Sequence, residues 1–175
     1  MTDQANLFTG ITDMHHDDGS YDLVAAKAGG VGALIHKATE GGDFVDEGFV
    51  AAMEAAKAAG VLRGAYHFAN NYRSGPEQAD HFLATVGLST EKGTPTRAEL
   101  LVLDHESNEK SKFGTMDTAR AVAFVERVRE RTGRWPVYYS YLSMIRATLR
   151  RATGAQLAVL TRCPLWLAAY GPDPL

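Results

Sequence analysis

Short apolar runs alternate along this chain with amphipathic stretches of helical length, and that alternation limits the folds open to it more than any other feature. The apolar runs fall at residues 10–14, 32–38, 62–69, 101–104, 136–140 and 165–170. Helical periodicity occupies residues 21–28, 47–59, 76–86, 115–131 and 142–151. The punctuation agrees: Gly29-Gly30 and Gly60 follow helical stretches, and Pro76 sits where a first helical turn tolerates proline. Thr115 is the expected N-cap of the clearest helix, with Ala119, Val122, Phe124, Val125 and Val128 as its apolar stripe. Residues 87–97 read as a flexible segment. Strands and helices in this succession predict right-handed β-α units around a mainly parallel sheet. No repeat, low-complexity tract or linker interrupts the 175 residues, so one domain is expected.

The charge balance narrows the partners. With 18 basic and 21 acidic residues the net charge is −3, which offers no electrostatic footprint for nucleic acid or an anionic membrane. Cys163 stands alone, so neither an internal disulfide nor a cysteine-based zinc cage is available. Residues 1–6 lack a basic region and an apolar run, and no stretch approaches membrane-spanning length; the chain as it stands is expected to carry no secretion signal.

A doubly wound open sheet and a β/α barrel both fit the alternation. The stretch after the first run, Asp13-Met14-His15-His16-Asp17-Asp18-Gly19, holds one glycine and several acids where a nucleotide site needs bare backbone N–H groups, which weighs against nucleotide binding. Acids and aromatics instead recur where strands end: Asp13, Lys37 and Glu40, Tyr66 and Phe68, Asp104 and Glu106, Tyr139, then Trp166 and Tyr170. In a barrel those ends converge on one rim. Aromatic rings stack on sugar faces, and carboxyls protonate a leaving oxygen and steady a cationic transition state, so the pattern suits a sugar polymer. Asp104 and Glu106 close an apolar strand two residues apart, which puts both on one side of the sheet and His105 on the other. Either the strand has ended in solvent or the pair is an acid/base site, since burying carboxylates is costly without a purpose.

Several short motifs fall in an order that resembles the family 25 glycoside hydrolases. They are Gly10-Ile11-Thr12-Asp13, Lys37-Ala38-Thr39-Glu40-Gly41, Gly64-Ala65-Tyr66-His67-Phe68, Gln78-Ala79 before Phe82-Leu83, Leu103-Asp104-His105-Glu106, Tyr139-Ser140 and Leu165-Trp166-Leu167-Ala168-Ala169-Tyr170. That family comprises the Chalaropsis-type lysozymes, N-acetylmuramidases of the kind also found in phage endolysins. The resemblance implies a flattened, irregular β/α (TIM-like) barrel of mainly parallel strands. It also implies hydrolysis of the β-1,4 bond between N-acetylmuramic acid and N-acetylglucosamine in peptidoglycan. Glu106 then falls on the proton donor and Asp104 on its partner carboxylate, while Asp13 matches the acid after the first strand with a one-residue shift. The implied groove residues are Lys37, Glu40, Tyr66, Phe68, Tyr139, Trp166 and Tyr170. Family members act with retention, through a carboxylate nucleophile or the substrate's own N-acetyl group.

The same resemblance implies further strands beyond the last motif, so the barrel is expected to be incomplete at its C-terminal end. An open edge there would favour association; otherwise a monomer is expected. The implied partner is a peptidoglycan glycan strand at the cell wall, reached by phage delivery or dedicated export, with no cofactor. Two other readings remain open. One is a glycan-binding module without turnover. The other is a metal-dependent hydrolase built on His15-His16-Asp17-Asp18 with His105, disfavoured because adjacent histidines on a strand face opposite ways. Lys37 with Glu40 reads equally as a surface ion pair or as groove lining. Tyr66 and Phe68 are expected to divide into one rim and one buried ring, Trp166 and Tyr170 to serve packing, and His67 and His105 to bridge sheet and helices.

Overall fold

The computed structural model describes residues 10–19 and 21–168. Six strands form one parallel sheet: β1 (Gly10–Met14), β2 (Val31–Glu40), β4 (Leu62–Phe68), β5 (Leu100–Asp104), β6 (Val137–Tyr141) and β7 (Leu165–Ala168). A two-residue strand, β3 (Phe44–Val45), pairs antiparallel with the end of β2. The spatial order β1-β2-β4-β5-β6-β7 follows the chain without reversal. A doubly wound sheet reverses its order at a switch point, so the barrel succession is the one realised. The sheet curls into an open half-barrel, and among the described residues β1 and β7 are its two unpaired edges.

Helices α1 (Leu23–Ala28), α2 (Phe49–Ala59), α3 (Gly75–Thr85), α4 (Thr118–Thr132), α5 (Leu142–Arg151) and α6 (Gly154–Leu160) follow the strands. The core lies between helices and sheet, where Phe49, Met53, Phe82, Leu83, Phe124 and Val128 pack onto Leu34, Leu101 and Leu103. Helix α4 departs from expectation at its start. Asp117 is its N-cap and accepts from the Arg120 amide at 2.8 Å. An aspartate placed three residues before that donor satisfies the first turn. Thr115 instead accepts from the Asn108 amide at 3.0 Å and ties down a rim loop. Ala119 is exposed and Ala121 is buried in its place, while Val122, Phe124, Val125 and Val128 form the buried stripe as expected. Residues 87–97 are pinned rather than loose: Arg131 donates to the carbonyls of Thr90 and Glu91, and the Gly93 amide donates to Arg131 O at 2.9 Å. Helix α6 escaped the reading of periodicity, although its capping box, Thr153 to Gln156, is legible in the sequence.

His67 does bridge sheet and helix, whereas His105 bonds the Met116 carbonyl in the loop before α4 and the Tyr138 hydroxyl on β6. His67 Nε2 lies 3.0 Å from Gln78 Oε1 and its Nδ1 lies 2.8 Å from Thr39 Oγ1. Both amide protons of Gln78 go to the carbonyls of Asn70 and Arg73, so Gln78 Oε1 accepts and His67 carries its proton on Nε2. Complete burial holds the imidazole neutral, pushing its pKa down to about 4. A Gln78→Leu substitution leaves the His67 proton and two carbonyls without partners. It should cost about 3 kcal/mol, at the upper end for a stranded buried polar group, read as a lower urea midpoint.

Candidate active site

One row of the parallel register carries much of the site. Glu40 pairs with Phe68, Phe68 with Asp104, Asp104 with Tyr139, and Tyr139 with Trp166, a row across five strands that closes the C-terminal ends of β2, β4 and β5. One step earlier, Lys37 pairs with Tyr66 and Tyr66 with Val102. Lys37 and Glu40 are three apart, a spacing that in a regular strand would send them to opposite faces. The register of β2 against β4 slips between Lys37 and Thr39, an extra residue at Ala38 that turns Glu40 back onto the face of Lys37. Both belong to strand β2, which runs two residues past the apolar stretch 32–38. Gly41 then leaves the strand in the left-handed region, with φ +56 degrees, and a side chain there would collide with the Asn70 amide. Glycine alone adopts that backbone without cost.

These residues line a groove of about 810 Å³. Lys37, Glu40, Tyr66, Phe68, Asp104 and Glu106 form its floor and one side; His15, His16, Asp17 and the loop from Ser107 to Ser111 form its rim. A smaller cavity of about 180 Å³ continues from Tyr66, Asp104 and Glu106 to Asp13, Tyr139 and Trp166. The sequence-predicted residues therefore gather in one place. Tyr170 lies outside the described residues. Tyr66 and Phe68 do not divide into rim and core: both are half-buried and both face the groove, because residues two apart on a strand share a face. Trp166 packs edge-on against Tyr139 at 4.8 Å and also lines the smaller cavity, so packing and site are not alternatives here.

Lys37 Nζ donates to Glu40 Oε2 at 2.8 Å and sits 5.1 Å from the ring centres of both Phe44 and Phe68. It is thus both an ion pair and part of the groove. Asn108, buried and unmarked by any periodicity in the sequence, donates to Glu40 Oε1 at 3.0 Å. Burial pushes the Glu40 carboxyl upward, but these bonds and the charge of Lys37 outweigh it and hold the group below the usual glutamate range. Asp104 has the opposite setting. It is 9% exposed, and its Oδ1 is buried without a hydrogen-bond partner. Burial first, then the charge of Glu106 and those of Asp13 and Glu40, push it well above the ordinary value, with Lys37 opposing. Glu106 is raised by burial and by Asp13, and as the more exposed member of the pair it faces the open groove. Burial and the charge of Asp104 raise the Tyr66 phenol as well, so it remains a hydrogen-bond donor. The result is one carboxylate held ionised, Glu40, beside two carboxyls, Asp104 and Glu106, that burial and mutual repulsion bias towards sharing a proton.

The metal reading on His15, His16, Asp17, Asp18 and His105 fails as a set, because His105 is buried on the helix side. Its Nε2 donates to Met116 O at 2.8 Å and its Nδ1 bonds the Tyr138 hydroxyl. The argument from strand geometry fails too: β1 ends at Met14, and His15 and His16 enter a 3-10 turn with ring centres 5.7 Å apart.

Known proteins are similar to this chain in sequence and fold. The chain is 32% identical over 163 residues to Lysozyme M1 of Streptomyces globisporus, covering 91% of this chain and 54% of that protein. It is 31% identical over 156 residues to the N,O-diacetylmuramidase of Arthroderma benhamiae, covering 87% and 64% respectively. The crystal structure of a family GH25 lysozyme from Aspergillus fumigatus superposes with a TM-score of 0.76 at 32% identity, over 93% of this chain and 78% of that one. The chain thus spans just over half to about two thirds of the length of these two curated relatives. The family model described as Glycosyl hydrolases family 25 matches residues 12–175, and the chain belongs to that family.

Proposed function

We propose that this chain is the single catalytic domain of a peptidoglycan hydrolase that cleaves the β-1,4 bond between N-acetylmuramic acid and N-acetylglucosamine. The carrying observation is the Asp104 and Glu106 pair in a groove about 810 Å³ in volume, one carboxyl deep and unpartnered, the other open to the cleft. Glu106, kept protonated by burial and Asp13, gives its proton to the glycosidic oxygen as the bond from the sugar's anomeric carbon breaks. Positive charge then develops on the ring carbon and oxygen. An ionised Asp104 is compensated only in part, by Lys37, so a developing cation gains more from that carboxylate than the uncharged ground state does. Water adds to the anomeric carbon in the later step, returning a proton to Glu106. Tyr66, Phe68, Tyr139 and Trp166 supply the ring faces and edges that hold sugars, and Lys37 and Asn108 fix Glu40 as an acceptor for sugar hydroxyls or amides.

The substrate class follows the relatives, a lysozyme and an N,O-diacetylmuramidase, and such a substrate lies in a cell wall. Among the described residues no helix is long and apolar enough to cross a membrane. The test is digestion of purified peptidoglycan, with the new reducing ends identified by mass spectrometry after borohydride reduction. Muramitol ends that persist in the presence of a chelator support the reading. Retained binding to peptidoglycan without new ends would instead identify a glycan-binding module. A pH series adds a second check. Glu106 acts protonated and Asp104 ionised, and both pKa values are raised, so activity should climb from low pH as Asp104 ionises and peak above the ordinary glutamate value of 4.5, while Glu106 still holds its proton. It should fall as pH rises through the raised pKa of Glu106, and a Glu106 with an ordinary pKa would lose that activity at lower pH.

A further inference from the structure

Where β1 ends, the 3-10 turn His16–Asp18 gathers two imidazoles and a carboxylate that the proposed hydrolysis does not use. One donor atom from each of His15, His16 and Asp17 lies within 4.8 Å of the other two. His16 Nε2 is 3.3 Å from Asp17 Oδ1. That separation is already the edge of a tetrahedron around zinc, whose bonds to nitrogen and oxygen are roughly 2.0 Å long. His15 Nδ1 is 3.8 Å from Asp17 Oδ2. Its present commitment is weak, a 3.3 Å bond accepted from the Asp17 amide, so little is given up on ligation.

A residue outside the cluster points the same way. Asp46, fully buried, accepts from His16 Nδ1 at 2.7 Å and from the Gly48 amide at 3.0 Å. A carboxylate oxygen only accepts, so His16 carries a proton on Nδ1, and Nε2 is the ring nitrogen that faces Asp17 and that a metal can take by displacing any proton there. A buried carboxylate that fixes the tautomer and aim of an imidazole is the arrangement that orients metal-bound histidines. It comes from 30 residues away and is not a by-product of the turn.

We propose that His15, His16 and Asp17 form a binding site for a divalent transition metal of the Zn²⁺ class, with Asp46 as the positioning residue for His16. Two imidazoles and one carboxylate suit Zn²⁺, whereas Ca²⁺ and Mg²⁺ prefer all-oxygen shells. Three protein ligands leave a coordination position open, and since all three residues line the groove, that position faces the glycan cleft. The site is distinct from the Asp104 and Glu106 pair and does not depend on the hydrolase reading.

The experiment is calorimetric titration of the untagged, chelator-stripped chain with ZnCl₂, with MgCl₂ and CaCl₂ as controls, alongside imidazole NMR spectra. One equivalent of Zn²⁺ is expected, with resonance changes confined to His15 and His16. His15→Gln and His16→Gln should each weaken binding by at least tenfold. Asp17→Asn, at a side chain 74% exposed and harmless to folding, should weaken it as well. Asp46→Asn should weaken binding by about 10- to 100-fold without changing the stoichiometry, the usual effect of removing a carboxylate behind a ligating histidine. Absence of Zn²⁺ uptake beyond that of Ca²⁺ would overturn the proposal. So would uptake that survives the Asp17→Asn and His16→Gln changes, or NMR changes centred on the remaining histidines. None of these readouts involves glycan turnover, so a failed hydrolysis assay leaves the test intact.

Discussion

Glu106→Gln should lower the rate of peptidoglycan hydrolysis by about 10³-fold, within the range that a positioned general acid contributes. The amide keeps the size of the side chain and cannot give up a proton to the leaving oxygen. Peptidoglycan binding should be retained, since the groove walls are unchanged, and the melting temperature should not fall. Removing a carboxyl that burial and Asp13 both push towards neutrality relieves a repulsion. A kcat loss at constant affinity is the signature to seek in single-turnover digests. A variant that kept more than about a tenth of the wild-type rate would move the proton donor elsewhere, since even a modest general acid is worth about 10².

Asp104→Asn should separate activity from stability in a way few other substitutions here can. The rate is expected to fall by about 10²- to 10³-fold, because the carboxylate that meets the developing cation is gone. The fold, however, should gain stability at neutral pH, because the amide carries no charge to be desolvated or repelled by Glu106, Asp13 and Glu40. The sign follows from linkage. Burial and neighbouring acids raise the Asp104 pKa in the folded state, so the folded chain holds its proton more tightly than the unfolded chain does. The resulting stability is fully present below the ordinary value of 3.8 and is lost as pH rises through the raised value. Denaturation midpoints of wild type and variant should therefore diverge as pH climbs from about 4 towards neutrality. Parallel midpoints across that range would mean that Asp104 is neither buried as a charge nor poised as argued. The same linkage with the opposite sign applies to His67: its depressed pKa removes stability as pH falls from 6.5 to about 4.

Much of this was legible in the sequence, for a reason visible in particular residues. The alternation of runs such as Leu100–Asp104 with the helix Thr118–Thr132 encodes a parallel β/α succession, because the periodicities of strand and helix are local properties. The spacing of Asp104 and Glu106 was readable for the same reason, and the ordered motifs located the family. The details of the site were not local. Glu40 reaches the groove only because β2 slips by a residue where it pairs with β4, and that slip is set by a strand lying beyond helix α2 in the chain. Asn108 finds Glu40 across 68 residues of chain, and Asp46 finds His16 across 30. The shift of the α4 cap from Thr115 to Asp117 likewise followed from a competing bond to the rim loop. The order of elements and the two-residue spacing of Asp104 and Glu106 are local and stand in the sequence. The tertiary structure alone decided how deep each carboxyl lies, which neighbour holds its charge, and which turn residues share its groove. Burial and hydrogen-bond partnership depend on segments that only folding brings together.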